Sequence, residues 1–199
     1  MPRLRAAADP LETARRLAGC LREHGGCVET PYDGRRAAAE DGDGLYLELS
    51  TRTAYGLELA RLLAAELGHR LALPEDRVAD IELAVHEGLI NGLVHGNLGI
   101  SAPSPRSPEQ FSAYCRRVER ALSADGEGGR RRIAVAARWD AEALEVAVRD
   151  QGAGYEPDRR PIHMDDSRTL GQGLTLIAAL TRGMTVSGHG RTLTMRFSR

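Results

Sequence analysis

Apolar residues recur along this chain in two periods, and the switching between them sketches a layered α/β domain. Leu11, Ala14, Leu17, Ala18 and Leu21 fall at helical spacing and predict an amphipathic helix over 10–24. GGCVETPYDG reads as a glycine turn, a short strand and another turn, and AAAEDGDG as a polar linker. Residues 45–50, LYLELS, alternate as a strand. Leu57, Leu59, Ala60, Leu63, Ala64 and Leu67 predict a helix over 53–69, with Gly68 near its end. Pro74, Glu75 and Asp76 suit the positive start of the next helix. SAPSPRSP carries three prolines and predicts no regular structure, whereas SPEQFSAYCRRVERAL predicts a surface helix begun by Ser107 and Pro108. With the loop DGEGG, these make an insertion over 100–129. Residues 131–138 and 144–149 predict two strands joined through WDAEA as a hairpin. The polar, proline-bearing stretch 155–170 predicts a loop of the kind that serves as a lid. GQGLTLIAALTRG predicts a helix through Leu174, Leu176, Ile177 and Leu180, and a hairpin of 184–186 and 192–197 closes the chain.

Composition narrows the classes. The 199 residues suit one domain plus decoration, and 42% hydrophobic with 28% charged residues says globular. A net charge of -1, from 27 basic and 28 acidic residues, gives no argument for nucleic acid or an anionic membrane. Aromatics at 4% offer no stacking platform for bases. No apolar run approaches the ~20 residues that span a bilayer, and MPRLRAAADP is not followed by the apolar core of a signal peptide. Cys20, Cys27 and Cys115 are odd in number and wrongly spaced for zinc, which points to reduced thiols and a cytoplasmic protein.

The centre of the chain is 83–99, LAVHEGLINGLVHGNLG. Glu87, Asn91 and His95 recur every fourth residue and share one face of a helix. Leu83, Ala84, Val85, Leu89, Ile90, Leu93 and Val94 surround them, and a helix apolar nearly all round is a buried one. A carboxylate and an amide there need partners, because burying them unpaired costs roughly 1–3 kcal/mol. Alone, the pattern fits a core helix with a polar stripe as well as it fits a site. Gly88, Gly92 and Gly96 each cost such a helix roughly 0.5–1 kcal/mol relative to alanine. Tight packing on a sheet is the first explanation for them, and close approach of a ligand the second. Two further pieces follow in order: Asp150 with QGAG at a strand's end, and GQG opening a helix. Each is weak alone, since DQGAG is usually a turn and GQG usually a loop. The three together, on these elements, are specific.

Together they resemble the nucleotide site of the GHKL superfamily, shared by gyrase, heat-shock chaperone ATPases, histidine kinases and mismatch-repair proteins. The helical piece resembles its N box, DQGAG its G1 box and GQGL its G2 box, over 45–198. Within the superfamily, EGLINGLVHGN resembles the N box of the anti-sigma-factor serine kinases, and HGNLGI with a helical insert resembles modules of bacterial partner-switching proteins. The resemblance implies a two-layer α/β (α+β) sandwich of the Bergerat type. Its sheet is mixed and mostly antiparallel, its helices lie on one face, and ATP with Mg²⁺ lies between helices and lid.

The resemblance also implies roles, and the chemistry of each residue fits its role. Asn91 offers Mg²⁺ a hard carbonyl oxygen without adding charge. Glu87 would accept the proton of an attacking hydroxyl. Asp150 would accept from the exocyclic amine of adenine, with Gly152 and Gly154 letting the base approach. Gly171, Gly173 and Leu174 belong to the phosphate-binding helix start, where N–H groups and the dipole face anions. His95 continues the face of Glu87 and Asn91, with a satisfied packing histidine as the equal alternative. No Walker motif GxxxxGK[ST] occurs. Relatives commonly place Arg between the two G2-box glycines, but here Gln172 stands there, which leaves the basic phosphate contact to Arg168 of the lid or to no residue. Relatives often place Thr directly after a glycine on the last strand, but here Arg191 separates Gly190 from Thr192, the residue expected near adenine.

The expected activity is that of a cytoplasmic serine/threonine protein kinase of the partner-switching type. The expected substrate is an anti-sigma-factor antagonist of the STAS type, with a sigma factor or other regulator as second partner and a homodimer as the assembly. No direct nucleic-acid or membrane partner is expected. The alternative is a non-catalytic ATP-binding interaction module that works through residues 1–44 or the insert. A histidine-kinase catalytic domain needs an upstream pair of dimerisation helices, and 1–44 is too short for one. The division expected is therefore 1–44 as an N-terminal segment and 45–199 as the ATP-binding domain. The run RRLAGCLREHGGCVETPYDGRRAAAE resembles part of a receiver domain without its phospho-acceptor aspartate, and implies a remnant or accessory segment.

Overall fold

A computed structural model describes residues 1–31, 44–100, 107–123, 126–154 and 172–199. The elements run β1 (Arg3–Leu4), α1 (Pro10–His24), β2 (Gly26–Glu29), β3 (Gly44–Ser50), α2 (Thr51–Tyr55), α3 (Leu59–Leu71) and α4 (Glu75–Ile90). A π-helical turn (Asn91–Asn97) continues α4, followed by α5 (Pro108–Leu122), α6 (Glu127–Arg130), β4 (Arg132–Trp139) and β5 (Ala143–Arg149). The chain ends in α7 (Gln172–Leu180), β6 (Gly183–Ser187) and β7 (Thr192–Ser198).

Alternation in the strands dictates a sheet with one apolar face. Among the described residues the strands form a seven-stranded sheet in the order β1-β2-β3-β4-β5-β7-β6. The pairs β1–β2 and β2–β3 are parallel, and the rest are antiparallel. The register aligns Cys27, Leu47, Val135, Val148, Leu193 and Val186 in one rank across six strands. That rank and its neighbours form one buried cluster with Leu17 and Leu21 of α1, Leu63 and Leu67 of α3, Val85 of α4 and Ile177 of α7. The helices α1, α3, α4 and α7 thus cover the same face of the sheet, as the α/β sandwich requires.

The N-terminal strands extend this sheet. Asp9 caps α1 by accepting from Leu11 N–H, and Gly25, at φ 69°, ends it and turns the chain into β2. Arg70 of α3 donates to the carbonyls of Leu21 and Arg22 at 2.8 and 2.9 Å, tying α1 to the domain's own helices.

Three elements depart from the sequence pattern. The helix expected over 53–69 is two: Ser50 caps α2 early, Gly56 ends it, and α3 restarts at Leu59. Gly68 therefore lies inside α3, where a β-carbon would stand 2.6 Å from Val78 Cγ2, so it serves the α3–α4 contact. The loop expected at DGEGG contains the short helix α6. The central helix is α-helical only to Ile90, then widens into the π turn, with Leu98 N–H donating five residues back to Leu93. The lid stretch 155–170 and Gly171 lie outside the described residues.

Candidate functional site

The helix α4 delivers Glu87 to the domain's interior edge and the π turn delivers Asn91, both half-buried. The first turn of α7 stands over them. A β-carbon on Gly173 would lie 2.7 Å from Glu87 Oε2 and 3.8 Å from Asn91 Nδ2, so a larger residue there would push the Glu87 carboxylate aside. Asn91 Nδ2 is buried and makes no hydrogen bond among the described residues. An amide presents either end after a flip, so the same atom position serves as carbonyl or N–H donor.

Asp150 marks the other end of the site. It follows β5 directly, its N–H donates to the Arg191 carbonyl at 2.9 Å, and its Oδ1 accepts from Gly152 N–H at 2.7 Å. Its side chain packs against Gly96, where a β-carbon would stand 2.6 Å from the carboxyl. Gly152 meets Gly96 in turn, and a β-carbon on Gly152 would lie 2.2 Å from the Gly96 carbonyl oxygen. Burial pushes the Asp150 carboxyl above its ordinary value, against the opposing pull of the Gly152 N–H and of Arg191 and Arg131. Gly88 and Gly92 serve packing, facing Met195 and Ile133 of the sheet.

The remaining expected residues are placed as follows. His95 is exposed, and its Nδ1 lies 2.7 Å from the Ile100 carbonyl oxygen, so one ring nitrogen is already engaged. Leu174 packs against the hydrophobic core beneath α7. Gly154, at φ 73°, turns the chain beside His189 and the Arg191 side chain. Thr192 pairs with Arg149, on the face of the sheet opposite Val148 and Leu193, and so points away from Asp150. The residue beside Asp150 is Arg191, just before that strand, whose carbonyl accepts from the Asp150 N–H. Arg168 and Gly171 fall outside the described residues.

One polar residue at the heart of the site carries no role in the sequence reading. Asn97 is fully buried and bonds to the Asp150 loop through Gln151 N–H. Its signal was its place in HGNLG, an amide ending an apolar helix. Arg191 was visible only as an interruption of a pattern.

The site is therefore a row of groups along one helix: a carboxylate and an unpartnered amide at one end, and a buried carboxylate on a strand tip at the other. A family model described as histidine kinase-like ATPase domain matches residues 50–197. The chain belongs to that family. A comparison with curated proteins finds no match. The chemistry of the residues present fits the nucleotide of such a domain: Asp150 offers a buried carboxylate acceptor, and the buried amide nitrogen of Asn91 makes no hydrogen bond among the described residues. Among the described residues, no helix is long and apolar enough to cross a membrane.

Proposed function

We propose that this ATPase domain is a serine/threonine protein kinase of the anti-sigma-factor, partner-switching type, acting on a small STAS-type antagonist. The observation that carries the reading is the placement of Glu87 Oε2 and the unpartnered Asn91 amide together beneath Gly173. A base and a metal ligand one helical turn apart, at the mouth of a phosphate-binding helix start, are what phosphoryl transfer to a hydroxyl needs. When bound, ATP supplies the phosphoryl group and Mg²⁺ the charge that offsets its oxygens. Asn91 would hold the ion, Gly173 would leave room for the phosphates, and Asp150 would accept from the adenine amine. Glu87 would take the proton of the substrate serine at Oε2, half-buried and so partly shielded from water. A sigma factor or other regulator is the second partner in this scheme, and the cytoplasm is its compartment.

Gln172 favours a second reading, that of an ATP-dependent interaction module without transfer. It is exposed at the start of α7, where relatives commonly carry a cation for the phosphates. One assay separates the two. The protein is mixed with Mg-ATP and a STAS-domain antagonist, and phosphoserine is sought by mass spectrometry. The kinase reading expects phosphoserine with the wild type, none with Glu87→Ala, and ATP binding by both. Bound ATP without phosphoserine refutes the kinase and supports the module. Undiminished transfer by Glu87→Ala refutes the role of Glu87.

A further inference from the structure

Asn97 has 0% of its surface exposed, and every hydrogen-bonding atom of its side chain is engaged. Nδ2 donates to Thr51 Oγ1 at 2.8 Å and to the Arg132 carbonyl at 3.0 Å. Oδ1 accepts from Gln151 N–H at 2.7 Å. The Asn97 backbone carbonyl accepts from Arg131 Nη1 at 2.9 Å, and Gln151 returns a bond by accepting from Arg132 N–H through Oε1 at 2.8 Å. One amide thus joins the end of the π turn, the start of α2, the start of β4 and the loop after β5.

The placement of these bonds matters more than their number. Gln151 sits between Asp150 and Gly152, the residue whose N–H holds the Asp150 carboxylate. The turn made by these residues presses on Gly96, next to Asn97 in the chain. Pinning Gln151 N–H therefore fixes the turn that aims the carboxylate, whereas a bond elsewhere on β5 would not. A buried amide that only filled space would be replaceable by an apolar residue at small cost. Here both donors and the acceptor reach different segments, and loss of the acceptor removes the one bond that holds the Gln151 backbone N–H in the loop carrying Asp150.

We propose that Asn97 is a positioning residue for nucleotide-base recognition: it holds the Gln151 backbone so that Asp150 faces the exocyclic amine of adenine. This rests on the reading of Asp150 as the base contact. Asn97 itself touches no nucleotide.

The test compares ATP with inosine triphosphate, which carries an oxygen where ATP carries the amine, by calorimetry on the full chain. Wild type is expected to prefer ATP, and Asp150→Asn to lose that preference. Asn97→Ala is expected to lower ATP affinity about tenfold while changing affinity for inosine triphosphate less than about threefold. In the Asp150→Asn background, Asn97→Ala should change ATP affinity less than about threefold, because the group it aims is already gone. A purely structural amide would weaken both nucleotides alike, and its effect would add to that of Asp150→Asn. That result overturns the proposal, as does an unaltered ATP preference in folded Asn97→Ala. Where Asn97→Ala does not fold, Thr51→Val decides. It removes one acceptor of Nδ2 and should reduce the ATP preference in the same direction; an unchanged preference overturns the proposal. A wild type that binds no ATP overturns the nucleotide reading and this proposal with it. A preference abolished by Asp150→Asn but untouched by Asn97→Ala overturns the role of Asn97 alone.

Discussion

The carboxylate of Asp150 lies against the backbone of Gly96, so closely that a β-carbon on Gly96 would stand 2.6 Å from Oδ1. Gly96→Ala therefore has to move one of the two, and the carboxylate, at the end of a side chain, moves more readily than the helix. Helical preference for alanine, worth roughly 0.5–1 kcal/mol, offsets part of the strain. The expected variant is folded, with near-native thermal stability and ATP affinity reduced about tenfold or more. Calorimetric titration beside a thermal melt checks this. Native affinity in a folded Gly96→Ala would show that the position of Asp150 does not matter to the nucleotide.

Asp150 also makes stability depend on pH. Burial raises its carboxyl above the ordinary value of 3.8, so the folded chain holds that proton more tightly than the unfolded one. Well below 3.8 both states are protonated and the carboxyl has no effect. As pH rises past 3.8 the unfolded chain releases its proton first and stability falls, until the folded carboxyl ionises too. The deficit then persists at neutral pH. Asp150→Asn removes it, so the variant should melt above wild type at pH 7 while binding ATP less well. The two melting curves should converge as pH drops below 3.8, and a gap of constant size would contradict the assignment.

The strands and most helices were legible because their periods survive burial. Leu45, Leu47 and Leu49, or Leu193, Met195 and Phe197, alternate in sequence and share one apolar face in the sheet. The N-terminal attachment was not, because β1 spans only Arg3 and Leu4 and has no period of its own. The π turn was hidden for a different reason: Asn91 and His95 fit a fourth-residue spacing whether or not the helix widens between them. Glu87 and Asp150 stood out as candidates because acids are conspicuous beside glycines and apolar residues. The bonds of Asn97 to residues 51, 132 and 151, the last beside Asp150, were not legible, since they cross the fold. The face that Thr192 takes is a matter of parity: it pairs with Arg149, so its side chain lies opposite that of Leu193.

On the far side of the sheet, Arg132 lies between two buried acids. Its Nη1 is 3.9 Å from Glu29 Oε2 and its Nε 3.6 Å from Glu48 Oε1. Glu48 also accepts from Tyr46 O–H at 2.7 Å, and Glu29 from Thr53 O–H at 2.6 Å. Arg132→Met strands two buried carboxylates without their cation, which typically costs about 3–5 kcal/mol. Urea unfolding should show a loss of that order, and Glu48→Gln added to it should restore part. A loss below about 1 kcal/mol would mean that the acids find water or other partners once the arginine is gone.

The thiols give the last check, on the packing of α1 against β2. Cys27 is fully buried, and desolvation, reinforced by the neighbouring Cys20 and Glu29, pushes its thiol up to about 12. Alkylation requires a thiolate and access, and Cys27 lacks both in the folded chain. Cys20 and Cys115 are half-buried. Iodoacetamide at pH 8 should therefore label Cys20 and Cys115 in the native protein and spare Cys27 until urea unfolds the domain, as read by peptide mass spectrometry. Because Cys27 shares the hydrophobic rank with Leu47 and Val135, its protection reports whether the N-terminal strands stay on the sheet. If Cys27 reacts as fast as Cys20 without denaturant, β2 opens from β3 in solution, and the N-terminal unit is a loosely held edge rather than part of the core.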